Sequence, residues 1–167
     1  MSAELIRAAA TPPDFTQVRG LFQEYAAGLG VSLCFQGFAE ELATLPGAYA
    51  PPRGGLWLAH ALGGSHAPLG CVALRELAHD LDGAALAGVA ELKRLYVAPA
   101  ARGSGLGRRL AAVALDHARA AGYRTVKLDT LAQMAAARTL YASMGFRPCA
   151  AYYRNPLGGT LYMELPL

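Results

Sequence analysis

The sequence predicts a mixed α/β domain in which a central mixed sheet of about seven strands carries about four helices on its faces. Three observations lead there. The chain has 167 residues, enough for one sizeable core and too few for two ordinary domains. Charged residues make up 16% of it and the net charge is +3, which argues against a disordered chain. The apolar pattern reads as hairpin strands in the first half and a strand–helix–strand–helix run in the second, the order of a mixed sheet with covered faces. A single domain over 1–167 follows, with no linker and no repeat. The 54% hydrophobic share contains 35 Ala, and 19 Gly bring the small residues to 54 positions, a composition suited to close backbone packing and tight turns.

The elements follow in order. Residues 4–9 read as a first strand, and Thr11-Pro12-Pro13-Asp14 supplies the start of a helix with Phe15, Val18, Leu21, Phe22 and Tyr25 at helical spacing, ended by Gly28 and Gly30. A short helix near 37–45 stops at Pro46-Gly47. Strands near 56–62 and 69–76 flank the turn formers Gly63-Gly64-Ser65-His66-Ala67-Pro68 and make a hairpin. An irregular exposed loop from His79 to Gly88 leads to a strand at 89–97, a helix at about 104–121, a strand at 124–129 and a helix at 134–144. Strands near 146–153 and at 160–165 complete the chain.

Several function classes drop out. Residues 54–74 carry no formally charged side chain and are long enough to span a bilayer, but the turn cluster at their middle favours the hairpin. The start has an acid at Glu4 and no continuous apolar core, unlike a secretory signal, so a cytoplasmic protein is expected. Cys34, Cys71 and Cys149 are scattered and odd in number, as are the four histidines in position, which predicts neither a disulfide framework nor a metal site. From Ala100 to Arg147 eight basic residues face two acids, +6, leaving −3 for the rest. That stretch is either a solvated basic helix face or a site for an anion. It has no interleaved aromatics and no nucleic-acid-binding motif, so nucleic acid is not expected as a partner.

The chemistry concentrates in residues 89–123. A strand ends at Val97, Pro99 prevents its simple continuation, and Arg102-Gly103-Ser104-Gly105-Leu106-Gly107 opens a helix with Leu106, Leu110, Val113 and Ala114 on its apolar side. The glycines remove side chains where a ligand approaches the backbone. The first helical N–H groups lack intrahelical acceptors and favour phosphate oxygens, with Arg102 and Arg108 adding charge. A Walker loop needs Lys-Ser/Thr after the last glycine, where this chain has Arg108-Arg109. The dinucleotide fingerprint needs glycine at position 108 and also fails.

Arg-x-x-Gly-x-Gly at Arg102–Gly107 instead resembles the coenzyme A pyrophosphate motif of the GNAT (GCN5-related N-acetyltransferase) superfamily. Leu95-Tyr96-Val97 resembles the family's splayed central strand, and Leu140-Tyr141-Ala142-Ser143-Met144-Gly145-Phe146 its second signature, L-Y-x-x-x-G-F. The element order matches along essentially the whole chain. The ending Tyr152–Leu157 and Tyr162–Leu165 is similar to a bacterial subgroup whose acceptors are mostly unassigned. One departure stands out: where many relatives have Asn seven residues before the signature Tyr, this chain has Met134.

The resemblance implies an acetyl-CoA-dependent N-acetyltransferase that passes an acetyl group directly to a primary amine of a small molecule or peptide. Acetyl-CoA is then a co-substrate, no metal or membrane is involved, and a homodimer is allowed. It places Leu95, Tyr96, Val97, Arg102, Gly103, Ser104, Gly105, Leu106, Gly107, Arg108, Met134 and Ala137 at the coenzyme, with carbonyl donors among the backbone N–H groups near Val97. Tyr141 is the implied proton donor to the departing thiolate, with core packing as the alternative reading of its helical stripe. Glu91 is the implied general base, acting directly or through water, with one half of a surface pair with Lys93 as the alternative reading. Alternation puts Glu91, Lys93, Leu95 and Val97 on one face. Phe22, Tyr25, Phe35, Tyr152, Tyr153 and Arg154 are candidates for the acceptor pocket or ordinary core aromatics. A non-catalytic acyl-CoA-binding or sensing module and a toxin acetylating aminoacyl-tRNA stay open beside the enzyme.

Overall fold

The chain runs through strand β1 (Glu4–Ala8), helices α1 (Pro12–Leu29) and α2 (Phe38–Thr44), strands β2 (Gly55–Ala61), β3 (Pro68–Glu76) and β4 (Val89–Val97), helix α3 (Leu106–Ala120), strand β5 (Thr125–Leu131), helix α4 (Ala135–Ser143), and strands β6 (Arg147–Pro148) and β7 (Thr160–Pro166). The computed structural model describes residues 4–63 and 67–167, except the side chain of Phe35. The strands form one sheet in the order β1-β2-β3-β4-β5-β7-β6, antiparallel except for β4 beside β5. The uncharged run at 54–74 thus holds the paired strands β2 and β3, while the expected turn centre at Gly64-Ser65-His66 lies outside the described residues. No described helix is long and apolar enough to cross a membrane.

Helix α1 begins where its sequence chemistry directs. The Thr11 hydroxyl accepts from the Asp14 amide, and the Asp14 carboxylate accepts from the Thr11 and Ala10 amides, a reciprocal cap behind Pro12 and Pro13. Gly28 does not end the helix. It runs one residue further and terminates at Gly30, whose φ of 67° is the left-handed cap. The hydrogen bond from Arg7, with the backbone amides, holds the Asp14 carboxyl well below the usual carboxylate range. A lowered folded value means that this stabilisation is complete above the unfolded value of about 3.9 and is lost as pH falls through the folded value. Urea midpoints measured from pH 5 down to pH 2 are therefore expected to fall less steeply in Asp14→Asn than in the parent, from a lower starting stability.

Each face of the sheet has its own core. On one, Leu110, Ala111, Ala114 and Ala118 of α3 pack against Trp57, Val72, Leu74, Leu92 and Val126. Three of those four α3 residues are alanine, which lets the helix lie close to the strands. On the other, Val18, Leu21 and Phe22 of α1 meet Tyr49, Leu56, Leu58, Cys71 and Ala73. Burial on this scale is the main stabilising term, about 25 cal/mol per Å² of apolar surface.

Strand β4 decides where the site lies. Lys93 is opposite Ala73 but Tyr96 is opposite Cys71, so β4 carries one residue more than β3 and bulges at Arg94, whose φ is +56°. The bulge breaks alternation. Leu92, Leu95 and Val97 pack on the α3 side, while Arg94 and Tyr96 turn toward α2 and α1, and Glu91 and Lys93 toward Tyr152 and Tyr153. The expected common face for Glu91, Lys93, Leu95 and Val97 is therefore corrected. Gly70 permits the close crossing there, since a Cβ on it would lie 2.6 Å from the Tyr96 carbonyl oxygen.

Strand β4 also splays from β5. Their parallel pairing covers only Val89–Thr125, Ala90–Val126 and Glu91–Lys127, and beyond it the strands part. The expected strand near 146–153 is cut to Arg147–Pro148, after which the chain leaves the sheet and returns at Thr160. Hydrogen bonds from Tyr152 and Tyr153 to acids on β4 and β5 hold that excursion over the sheet face.

Candidate active site

A cleft of about 770 Å³ opens where β4 and β5 part. Its walls are the C-terminal end of β4, the glycine turn and first turn of α3, the first turn of α4, and Tyr25, Gly28 and Leu29 near the end of α1. Leu95, Tyr96, Val97, Arg102, Gly103, Gly105, Leu106, Gly107, Arg108, Met134, Ala137 and Tyr141 all line it. Of the residues expected at the coenzyme, Ser104 alone is absent from this lining. Its hydroxyl donates to the Ala101 carbonyl and accepts from the Leu106 amide, so it shapes the turn from behind.

The turn leaves several backbone donors open. Gly103 and Gly105 have φ of 80° and 78°, a conformation that costs other residues about 1–2 kcal/mol. Gly105 caps α3 without any side-chain hydrogen bond. Among the described residues no acceptor is bonded to the amides of Gly103, Gly105, Gly107 or Arg108. Free donors at a helix N-terminus attract phosphate oxygens. Arginines frame the turn: Arg102 donates to the Val97 carbonyl at 3.1 Å and Arg108 to the Ser143 hydroxyl at 2.5 Å, tying α3 to α4 across the cleft. Apolar Leu95, Val97, Leu140 and Ala137 continue from this polar end, and the unpaired edge of β4 offers backbone groups to an extended arm. A molecule with a pyrophosphate and a long flexible stem fits this geometry.

The cleft continues inward to a chamber of about 30 Å³, room for one or two water-sized groups. Tyr25, Leu29, Leu95, Met134 and Tyr141 line both spaces, and Lys93, Asp129, Gln36 and Asn155 line the chamber alone. Tyr141 stands at the junction. Burial, with Tyr25 and Asp129 nearby, pushes its hydroxyl well above the ordinary tyrosine value, so it keeps its proton at neutral pH. Among the described residues no group hydrogen-bonds that hydroxyl. Its ring packs edge-on to Phe146 at 5.6 Å, so the packing role and an open hydroxyl coexist.

Glu91 sits elsewhere. It is 1% exposed, lines neither space, and is surrounded by Arg75, Lys93 and Tyr152 at 2.7, 3.5 and 2.9 Å. Burial alone would raise its carboxyl, but Lys93 and Arg75 outweigh it and hold the group below the usual range. A saturated, acidified carboxylate is poorly disposed to take a proton. Nor is it a surface pair with Lys93, since both are buried. Asp129, which the sequence reading passed over, is the carboxylate that faces the chamber. The signal was available: alternation along β5 puts Lys127 and Asp129 opposite the core residues Val126 and Leu128.

The acceptor candidates divide. Phe22 is core, and the side chain of Phe35 lies outside the described residues. Tyr25 lines both spaces, Tyr153 bonds Asp129, and Tyr152 bonds Glu91. Arg154 is exposed and lines no part of the chamber, because the excursion after β6 turns it outward. Cys71 is fully buried with its thiol against the Arg94 carbonyl, and burial pushes it far above the ordinary thiol value, so it stays a protonated core thiol.

Comparison with known proteins agrees with this geometry. The acetyltransferase (GNAT) family model matches residues 22–146. An uncharacterized N-acetyltransferase of Schizosaccharomyces pombe is 37% identical over 97% of this chain and 94% of its own length. An acetyltransferase from Streptococcus agalactiae superposes with a TM-score of 0.76 at 21% identity, covering 100% of both chains. The yncA protein of Salmonella typhimurium, solved with its cofactor acetyl-CoA, superposes with a TM-score of 0.68 at 22% identity over 98% of this chain and 94% of its own.

Proposed function

The chain belongs to the GNAT acetyltransferase family, and on that premise we propose that it is an acetyl-CoA-dependent N-acetyltransferase whose acceptor is a primary amine. The observation that carries the reading is the junction at Tyr141, where the anion-binding cleft meets a small polar chamber. Bound in the cleft, acetyl-CoA supplies an activated acetyl thioester. The amides of Gly103, Gly105, Gly107 and Arg108 hold its pyrophosphate, and the open edge of β4 at Leu95–Val97 aligns its pantetheine arm and polarises the thioester carbonyl. Met134 gives that arm an apolar contact where an asparagine would give a hydrogen bond. Tyr141 protonates the departing sulfur. The bases near the turn are accounted for by phosphate, and the reading places the enzyme in the cytoplasm, where acetyl-CoA and amines meet.

The test is to incubate the protein with acetyl-CoA and a panel of amines and to follow free thiol. Amine-dependent thiol release supports the enzyme. Tight coenzyme binding with no release for any amine would instead favour the acyl-CoA-binding module. In Gly105→Val the side chain is strained at positive φ by about 1–2 kcal/mol and crowds the approach of the phosphates. Isothermal titration is expected to show acetyl-CoA affinity at least about tenfold weaker in this variant.

A further inference from the structure

Glu91 on β4 and Asp129 on β5 differ in what is left free. Both oxygens of Glu91 are taken: Oε2 by the Arg75 guanidinium at 2.7 Å, and Oε1 by the Tyr152 hydroxyl at 2.9 Å with Lys93 behind it. Asp129 Oδ2 accepts from the Tyr153 hydroxyl at 2.8 Å, but Oδ1 has only the Lys93 ammonium at 3.9 Å, beyond hydrogen-bond reach. An ionised carboxylate has about four acceptor sites, so Oδ1 keeps capacity for a donor. Its side chain is 16% exposed, and the space it lines is the chamber beyond Tyr141. Tyr153 is itself fixed: its hydroxyl receives hydrogen bonds from Gln36 and Asn155, and its carbonyl one from Tyr162. The acid is held by one oxygen and presents the other.

We propose that Asp129 is the catalytic carboxylate that receives the acceptor's ammonium group and takes its proton, and that the acceptor is an unbranched primary alkylamine. The size of the chamber supports the second part. About 30 Å³ holds one or two water-sized groups, enough for an ammonium and the methylene that bears it, so a nitrogen on an unbranched carbon enters more readily than one on a branched α-carbon, as in an amino acid or peptide N-terminus. Leu29 and Leu95, which line the cleft as well as the chamber, would cover the alkyl stem.

The inference rests on the acetyltransferase reading and the steps balance. The ammonium gives one proton to Asp129, which passes it to solvent, and the freed lone pair attacks the thioester carbon. A carbon–nitrogen bond forms and the carbon–sulfur bond breaks. The departing sulfur takes the Tyr141 proton, and the second proton lost by the attacking nitrogen restores Tyr141. One amide, one free thiol and one proton result.

The experiment uses the full chain with acetyl-CoA and propylamine, putrescine, sec-butylamine, alanine amide and an alanyl dipeptide. Unbranched amines are expected to exceed branched ones by about tenfold or more in kcat/KM, the discrimination a small pocket supplies. Asp129→Asn is expected to lose about 10²-fold or more in kcat/KM for the best amine while its acetyl-CoA affinity stays within about threefold of the parent. Should Asp129→Asn not fold, Asp129→Glu moves the charge by one methylene and is expected to show the same separation. Turnover of either folded variant within about threefold of the parent would overturn the assignment of Asp129. Preference for the branched amines, or no acetylation of any amine by a parent that binds acetyl-CoA, would overturn the inference and leave the coenzyme site standing. Failure of the parent to bind acetyl-CoA would overturn the reading beneath it.

Discussion

Tyr141→Phe is expected to lower kcat by about 10²-fold or more while acetyl-CoA affinity changes by no more than about twofold. The separation follows from what the substitution removes. The ring stays, with its edge-on packing against Phe146 and its place between cleft and chamber, so binding surface is conserved. The hydroxyl is lost, and with it a proton held by burial that the proposed reaction delivers to the departing sulfur. Because no described group bonds that hydroxyl, its removal leaves no orphaned partner, and stability should change little. Steady-state rates with titration of acetyl-CoA check both halves. A kcat within about threefold of the parent would remove Tyr141 from the chemistry.

Glu41→Ala is expected to destabilise the fold by about 3–5 kcal/mol, the cost of breaking a buried ion pair from one side. The Arg94 guanidinium donates twice to Glu41, at 2.9 and 2.7 Å, and Tyr49 donates to the same carboxylate at 2.8 Å. The paired side chains are 2% and 11% exposed. Burial opposes charge on Glu41, and Arg94 more than compensates, holding its carboxyl below the ordinary value. Removing Glu41 would leave a cation and a hydroxyl without partners against Phe38 and Tyr25. Set against a typical total stability of about 5–15 kcal/mol, that is a large fraction. Urea unfolding measures it, and the double variant Glu41→Ala, Arg94→Met is expected to recover part of the loss because the stranded charge goes too. A single-variant loss below about 1 kcal/mol would show that water reaches the pair.

The site was legible where its chemistry is local. The glycine turn needs positive φ and open amides within six residues of one another, and the spacing of Arg102, Gly103, Gly105 and Gly107 displays that requirement directly. Strand β4 was read with its observed ends, because a nine-residue apolar-rich run bounded by Gly88 and by Pro99 has few other ways to fold. Glu91 and Asp129 were not separable in the same way. Each is an acid on a strand, and which of them faces open space depends on Arg75 of β3 and Tyr152 and Tyr153 of the excursion after β6. The length of β6 failed for a related reason: the aromatic run at 152–153 looks like strand, but its hydroxyls are drawn to buried acids on other strands.

The sequence by itself determined the mixed sheet, the order of its elements, the family resemblance and the glycine turn, since each rests on periodicity, capping or conformational demands between residues close in the chain. Only the tertiary structure decided the bulge at Arg94, the parting of β4 from β5 and which of Glu91 and Asp129 lines the chamber. A bulge is a mismatch between two strands, and the state of a buried charge is set by whichever partners the fold brings within hydrogen-bond reach, neither of which a single segment records.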